Sequence, residues 1–169
     1  SAISYSVVWY FQEMARRVGE TRMQAFIAAL DYGNKDISSG LTRFWLRGSL
    51  RISANEQVAF LRKLHEGTLP VKPRATAIVK ECLILAQVPG WTYRGKTGTY
   101  SGPVDGIESD LGWFVGWVER DGRALIFAAN DQTKGISGPL VRTKVERALV
   151  ELGELPPDWE QYRCEVPLP

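Results

Sequence analysis

The sequence predicts an α/β chain of the segregated α+β kind, an antiparallel sheet flanked by helices together with a helical subdomain. Three observations predict it. Apolar residues recur at helical spacing through the first half of the chain. After Gly90 the period changes from helical to alternating. Arg120-Asp121-Gly122 then sits between two alternating runs as a hairpin signal. At 169 residues the chain has room for one domain with a real core, and 44% hydrophobic with 24% charged residues is the mix of an ordinary soluble globular protein.

In chain order, Val7, Val8, Phe11, Met14, Ala15 and Val18 form a helical stripe with Ser6 as its cap, and Gly19 ends it. Thr21 opens a second helix with Met23, Phe26, Ile27 and Leu30 on one face. Asp31-Tyr32-Gly33-Asn34 breaks the pattern, and a polar stretch runs to Gly40. Ser53-Ala54-Asn55-Glu56 is a capping box ahead of Val58, Phe60, Leu61 and Leu64. A further helix is expected over Ala75 to Ala86, bounded by Pro73 and Pro89. Strands are expected over Trp91 to Tyr100, Leu111 to Glu119 and Arg123 to Asn130. In the middle one Trp113, Val115 and Trp117 face one way while Phe114 and Val118 face the other, so both faces of the sheet should be covered. Pro139 starts a last helix with Leu140, Val141, Val145, Ala148, Leu149 and Leu152 inward. The organisation expected is a helical portion over 1–90, strands with a closing helix over 91–155 and a tail over 156–169, together one incomplete domain.

Composition excludes more than it suggests. The net charge is +2, which gives no reason to expect nucleic acid or a membrane surface as partner. The longest apolar runs, Leu83 to Ala86 and Leu125 to Ala129, are far too short to span a bilayer. No basic start followed by an apolar stretch marks a signal peptide, although a mature form would look the same. His65 is the one histidine, so a Ser-His-Asp or Cys-His mechanism would have to run through it. Cys82 and Cys164 have no metal-ligand spacing around them, so no metal site is expected; the pair is open to a disulfide or to two free thiols. Acid–base chemistry then falls to a lysine, a carboxylate or a tyrosine.

Taken singly, the polar motifs have bland readings. Ser6-Val7-Val8 is a helix cap, Tyr32-Gly33-Asn34 a turn, Trp45 a core residue and Arg142 a solvated residue in a first helical turn. Asp31, Glu56 and Asp110 read as caps or loop charges, and His65 as a surface residue near a helix end. Lys96-Thr97-Gly98-Thr99 is more pointed: a lysine beside hydroxyls, with a glycine that lets a ligand approach the backbone, suits an anionic substrate.

Taken jointly, Ser-x-Val at Ser6, Tyr32-Gly-Asn, Phe44-Trp-Leu-Arg-Gly-Ser-Leu-Arg-Ile-Ser, Glu56-Gln-Val-Ala-Phe-Leu, Lys96-Thr-Gly-Thr and Gly112-Trp-Phe-Val-Gly-Trp occur in one order on the expected element types. The chain resembles the serine β-lactamases of class D and their relatives, the penicillin-sensing receptor domains and the penicillin-binding transpeptidases. The resemblance runs to about Leu152, and Tyr-Gly-Asn with Phe-Trp-Leu favours class D. It implies a β-lactamase/transpeptidase-like fold with its N-terminal part missing. The family's chemistry begins at a Ser-x-x-Lys motif whose serine attacks the lactam and whose lysine, in class D, carries carbon dioxide as a carbamate. No serine of this chain has a lysine three residues later.

By resemblance, Ser6 relays a proton to the leaving nitrogen, and Lys96 adds positive potential near Ser6 and the substrate carboxylate. Thr97 and Arg142 hold that carboxylate, Arg142 with a geometry able to do so bidentately. Gly98 keeps the strand approachable, and the backbone N–H of Thr99 supplies half of an oxyanion hole. Trp45 donates to the carbamate while Val8 and Leu46 keep its surroundings dry. The expected activity is periplasmic hydrolysis of penicillin-type lactams through a serine acyl-enzyme. No cofactor is expected beyond carbon dioxide on a lysine outside this chain, and no partner beyond the lactam and the missing N-terminal segment. The alternatives are a sensor or transpeptidase domain that is acylated without turnover, or an inactive fragment. Lactam preference and oligomeric state, a homodimer included, stay open.

Overall fold

The stripe that begins at Val7 forms helix α1 (Val8–Val18), and Gly19, at φ 80°, turns the chain directly into α2 (Glu20–Ala29). In this computed structural model the described residues are 1–46, 48–103 and 106–162; Cys164 lies outside them. Two compact units divide the chain, Ser1–Cys82 and Leu83–Leu168.

Among its described residues the first unit carries four helices. The N-cap of α1 is Val7, with no side-chain cap bond, so Ser6 is not the cap expected. Ser6 instead adopts φ 50°, a left-handed conformation uncommon for a residue with a Cβ. Only Ala15 of α1 is buried and no residue of α2 is, so Phe26 stands exposed where an inward face was expected. Helix α3 (Ala54–Glu66) begins with the capping box: Ser53 Oγ accepts from the Glu56 amide at 3.2 Å, and Glu56 Oε2 accepts from the Ser53 amide at 2.8 Å. It buries Leu61 and Leu64 as expected, with Gln57 beside them.

Helix α4 (Pro73–Cys82) is shorter than expected, because Ile84–Val88 is a strand, β1. A short apolar run cannot be told from a buried helix by periodicity alone. Here Val88 pairs with Trp91 across the two-residue Pro89-Gly90 turn, and long-range pairing overrides the helical preference of Leu and Ala. The change from helical to extended therefore falls at Leu83 rather than at Gly90.

The second unit is a four-stranded antiparallel sheet in the order β1-β2-β3-β4, with β2 (Trp91–Tyr100), β3 (Asp110–Arg120), β4 (Arg123–Thr133) and helix α5 (Gly138–Glu151). Asp121 and Gly122, at φ 51° and 74°, make the two-residue turn between Arg120 and its partner Arg123. The register puts Tyr93, Phe114 and Val118 on one face, where they pack with Val141 and Leu149 of α5 and with Leu155 and Trp159. Trp159 opens a 3₁₀ turn (Trp159–Tyr162) and packs edge-on against Tyr93, so the segment expected as a tail closes the core. On the opposite face Trp117 is also fully buried, with the Arg94 guanidinium 5.7 Å from its ring centre. Leu140 and Leu152, expected inward, are exposed; the buried stripe of α5 is Val141, Glu146 and Leu149.

Candidate functional site

The residues singled out by sequence fall into two groups, one in each unit. In the first unit Ser6 and Val8 stand at the start of α1, both exposed. The strained φ of Ser6 is fixed by backbone bonds on either side: its own amide donates to the Ile3 carbonyl at 3.2 Å and that of Val7 to the Ala2 carbonyl at 3.0 Å. Trp45 is half-buried and meets the buried Phe44 edge-on, ring centres 4.9 Å apart. These two rings, with Phe11, Met14, Ala15 and Val18 of α1 and Met23 of α2, line an apolar cavity of about 380 Å³. Leu46 follows, half-buried, its amide bonded to the Arg43 carbonyl at 2.9 Å.

The Tyr-Gly-Asn turn is structural. Asn34 accepts from the Arg51 amide at 2.9 Å and donates to the Ser49 carbonyl at 2.8 Å, fastening the turn to the segment after Phe-Trp-Leu. Gly33 has φ 52°, and a Cβ there would press into the Arg51 carbonyl, so only glycine fits. Tyr32 lies edge-on to Phe60 and donates to Gln57 at 2.9 Å; burial holds its phenol above the usual tyrosine range, with the Gln57 bond opposing.

In the second unit the Lys-Thr-Gly run is the far half of β2. Lys96 Nζ donates to the Thr97 carbonyl at 2.6 Å, and burial pushes the ammonium below the ordinary lysine range. Lys96 and Gly98 share the sheet face of Arg94, while Thr97 and Thr99 point to the face that α5 covers. The Thr99 hydroxyl accepts from the Gly138 amide at 2.9 Å, so a β2 side chain caps α5 in place of Ser137. Gly138 sits so close that a Cβ would lie 2.6 Å from the Gly98 carbonyl oxygen. Gly98 itself is exposed, its nearest approach being Trp113 Cβ at 3.7 Å from a built Cβ.

The edge of β2 is informative. β1 pairs with β2 only as far as Arg94, and the Gly95 amide ends the ladder on the Leu83 carbonyl at 2.9 Å. Backbone amides alternate sides along a strand, so those of Thr97 and Thr99 point to the same edge as that of Gly95. There no strand lies beside them among the described residues. A row of unpaired amides beside a lysine can hold an anionic oxygen.

Arg142, taken singly a solvated residue, is largely buried. Its Nε donates to Glu146 Oε1 at 2.6 Å, and its guanidinium carbon is 5.9 Å from the centre of the Phe114 ring. Phe114 is the cross-strand partner of Thr97, and both stand on the sheet face that α5 covers. Glu146 escaped sequence analysis, although its spacing of four from Arg142 on one helix was the available signal. Among the described residues no helix is long and apolar enough to cross a membrane, and no group of three or more His, Cys, Asp or Glu residues could hold a metal.

Residues 1–151 match the family model of the penicillin binding protein transpeptidase domain. Among characterised relatives, β-lactamase OXA-48 of Klebsiella pneumoniae is 41% identical over 157 residues, covering 93% of this chain and 58% of that protein. The probable β-lactamase YbxI of Bacillus subtilis is 40% identical over 135 residues, 80% of this chain and 49% of that protein. The solved class D β-lactamase FUS-1 (OXA-85) of Fusobacterium nucleatum superposes with a TM-score of 0.82 at 36% identity, over 90% of this chain and 62% of that one. The chain thus spans about half to three fifths of the length of such relatives. With the helices and the antiparallel sheet both matched at this identity, the chain belongs to the penicillin-binding transpeptidase domain family and stands close to the class D β-lactamases within it.

Proposed function

We propose that this chain supplies the substrate-binding and proton-relay part of a class D-like serine β-lactamase, a periplasmic hydrolase of penicillin-type lactams. The observation that carries it is the Lys-Thr-Gly strand, with the Thr99 amide on an unpaired edge and Arg142 over Phe114, the cross-strand partner of Thr97. A lactam carbonyl oxygen placed at that edge accepts from Thr99 N–H, and negative charge developing there in acylation strengthens the bond. The lactam carboxylate is held by Thr97 and Arg142, with Lys96 adding positive potential. Gly98 leaves the strand open to the ligand.

Ser6 is the relay, a hydroxyl that both accepts and donates as the lactam nitrogen leaves. The nucleophile and the carbamylated lysine belong to a Ser-x-x-Lys segment that this sequence does not contain. Trp45, which lines an apolar cavity, with Leu46 next to it in sequence and Val8 three positions before the cavity-lining Phe11, suits a lysine that must be kept neutral to hold carbon dioxide. The transpeptidase-domain match gives a second reading some support: a sensor or transpeptidase that is acylated but not turned over.

A chromogenic cephalosporin separates these readings. The 169-residue chain alone should give no turnover above background, having no nucleophile. The protein carrying a Ser-x-x-Lys segment should turn over continuously, whereas a sensor gives one stoichiometric burst. Trp45→Ala should then stall deacylation, with an acyl-enzyme visible by mass spectrometry and bicarbonate restoring part of the rate. Normal, bicarbonate-independent turnover in that variant would remove the class D mechanism.

A further inference from the structure

We infer that Glu146 is a positioning residue for Arg142, holding its guanidinium as half of a charge-compensated pair whose outer nitrogen is what a substrate carboxylate meets. This rests on the reading of Arg142 as the carboxylate-binding residue. The two side chains stand one turn apart on α5, joined by the 2.6 Å bond from Nε to Oε1, and are 13% and 4% exposed. Arg142 Nη2 is buried and has no hydrogen-bond partner among the described residues.

A buried ion pair is a poor device for stability alone, since desolvation offsets most of the attraction. A guanidinium nitrogen left without an acceptor makes it poorer still. The arrangement makes chemical sense when an acceptor arrives at Nη2, on the sheet face that Phe114 shares with its strand partner Thr97.

Two consequences follow for recognition. The bond from Nε fixes the plane of the guanidinium and occupies its side-on fork, so an incoming carboxylate meets the outer nitrogens. The Glu146 charge also cancels much of the Arg142 charge, so an anion is held here chiefly by hydrogen bonding and less by net potential. Binding of the carboxylate is thereby weaker than an uncompensated arginine would give, and Glu146 sets how much weaker.

Nuclear magnetic resonance on the ¹⁵N-labelled 169-residue chain tests this in two steps. The Arg142 Nε–H should exchange with water far more slowly than that of the exposed Arg147, and Glu146→Ala should abolish the difference. Fast exchange in the unaltered chain overturns the pairing whatever the ligand does. Benzylpenicillin and its methyl ester are then titrated against the unaltered chain, Glu146→Gln and Arg142→Ala. Glu146→Gln keeps an oxygen for Nε but removes the charge, so it should bind the acid about tenfold more tightly or better, the scale on which a neighbouring charge acts, with the ester unchanged. Equal acid affinity in the unaltered chain and Glu146→Gln, both preferring acid to ester, overturns the role of Glu146 and leaves that of Arg142 standing. No preference for acid over ester, no effect of Arg142→Ala, or no binding by any variant removes the Arg142 reading, and the inference with it.

Discussion

The central strand of the second unit buries Phe114, Trp117 and Val118 almost completely, whereas α1 and α2 of the first unit leave Val8, Trp9, Tyr10, Met14 and Phe26 exposed. Among the described residues the five largest fully buried side chains all belong to the second unit. Its site residues accordingly sit on a continuous ladder, Lys96 opposite Val115 and Thr97 opposite Phe114, closed on one face by α5. The first unit holds its motifs differently, through side-chain bonds to backbone around Asn34 and Ser49. A binding strand built on a ladder keeps its shape through packing; a turn held by a few polar bonds keeps its shape only while each bond survives.

The difference should be largest in the core. Phe114→Ala should lower stability by about 3–5 kcal/mol, the usual cost of removing a buried aromatic ring. Trp9→Ala, on an exposed helix face, should change it by no more than about 0.5 kcal/mol. Urea unfolding of both variants checks the pair, and a cost at Trp9 equal to that at Phe114 would erase the distinction.

Next comes the turn. Gly33→Ala should cost at least about 1–2 kcal/mol for the left-handed conformation alone, and more as the Cβ displaces the Arg51 carbonyl. Hydrogen exchange should show the loss concentrated around Tyr32, Asn34 and Arg51, with the β2–β3 ladder untouched.

The smallest effect concerns Lys96. Burial lowers its folded-state pKa below the ordinary 10.5, so the unfolded chain binds the proton more tightly. The charged lysine therefore costs stability below its folded pKa, and the cost fades as pH rises from there through the ordinary value. Lys96→Met should be the more stable form at pH 7, with an advantage that shrinks as pH rises toward about 10.4, where free lysine titrates, and levels off above it. Thermal denaturation of both forms across that range checks it; a constant difference would mean that packing, not charge, sets it.

Strands β2, β3 and β4 were legible because alternation and an Asp-Gly turn leave few other structures open. β1 was not, because Leu83 to Ala86 carries no period, and its pairing with β2 is decided by residues further along the chain. The Ser6 motif pointed to a cap, and the backbone takes a left-handed step there instead, a conformation no local propensity favours. Lys96-Thr97-Gly98 pointed in sequence to an anionic ligand, but the unpaired edge beside Thr99 was not legible, since it depends on where β1 stops. Arg142 shows the same limit: a spacing of four names Glu146 as a neighbour, while burial of the pair is a property of the packed sheet.

The bare edge of β2 carries a cost that has nothing to do with lactams. Unpaired amides that can meet one carbonyl oxygen can equally meet a strand from another molecule, and such edges seed self-association. Gly98 and the charge of Lys96 on this stretch, with Pro103 soon after it, are the residue types that blunt that tendency. On the function proposed above, recognition and resistance to aggregation are set by the same few positions, so enlarging Gly98 to tighten a ligand would also make the strand a better template for its own copies.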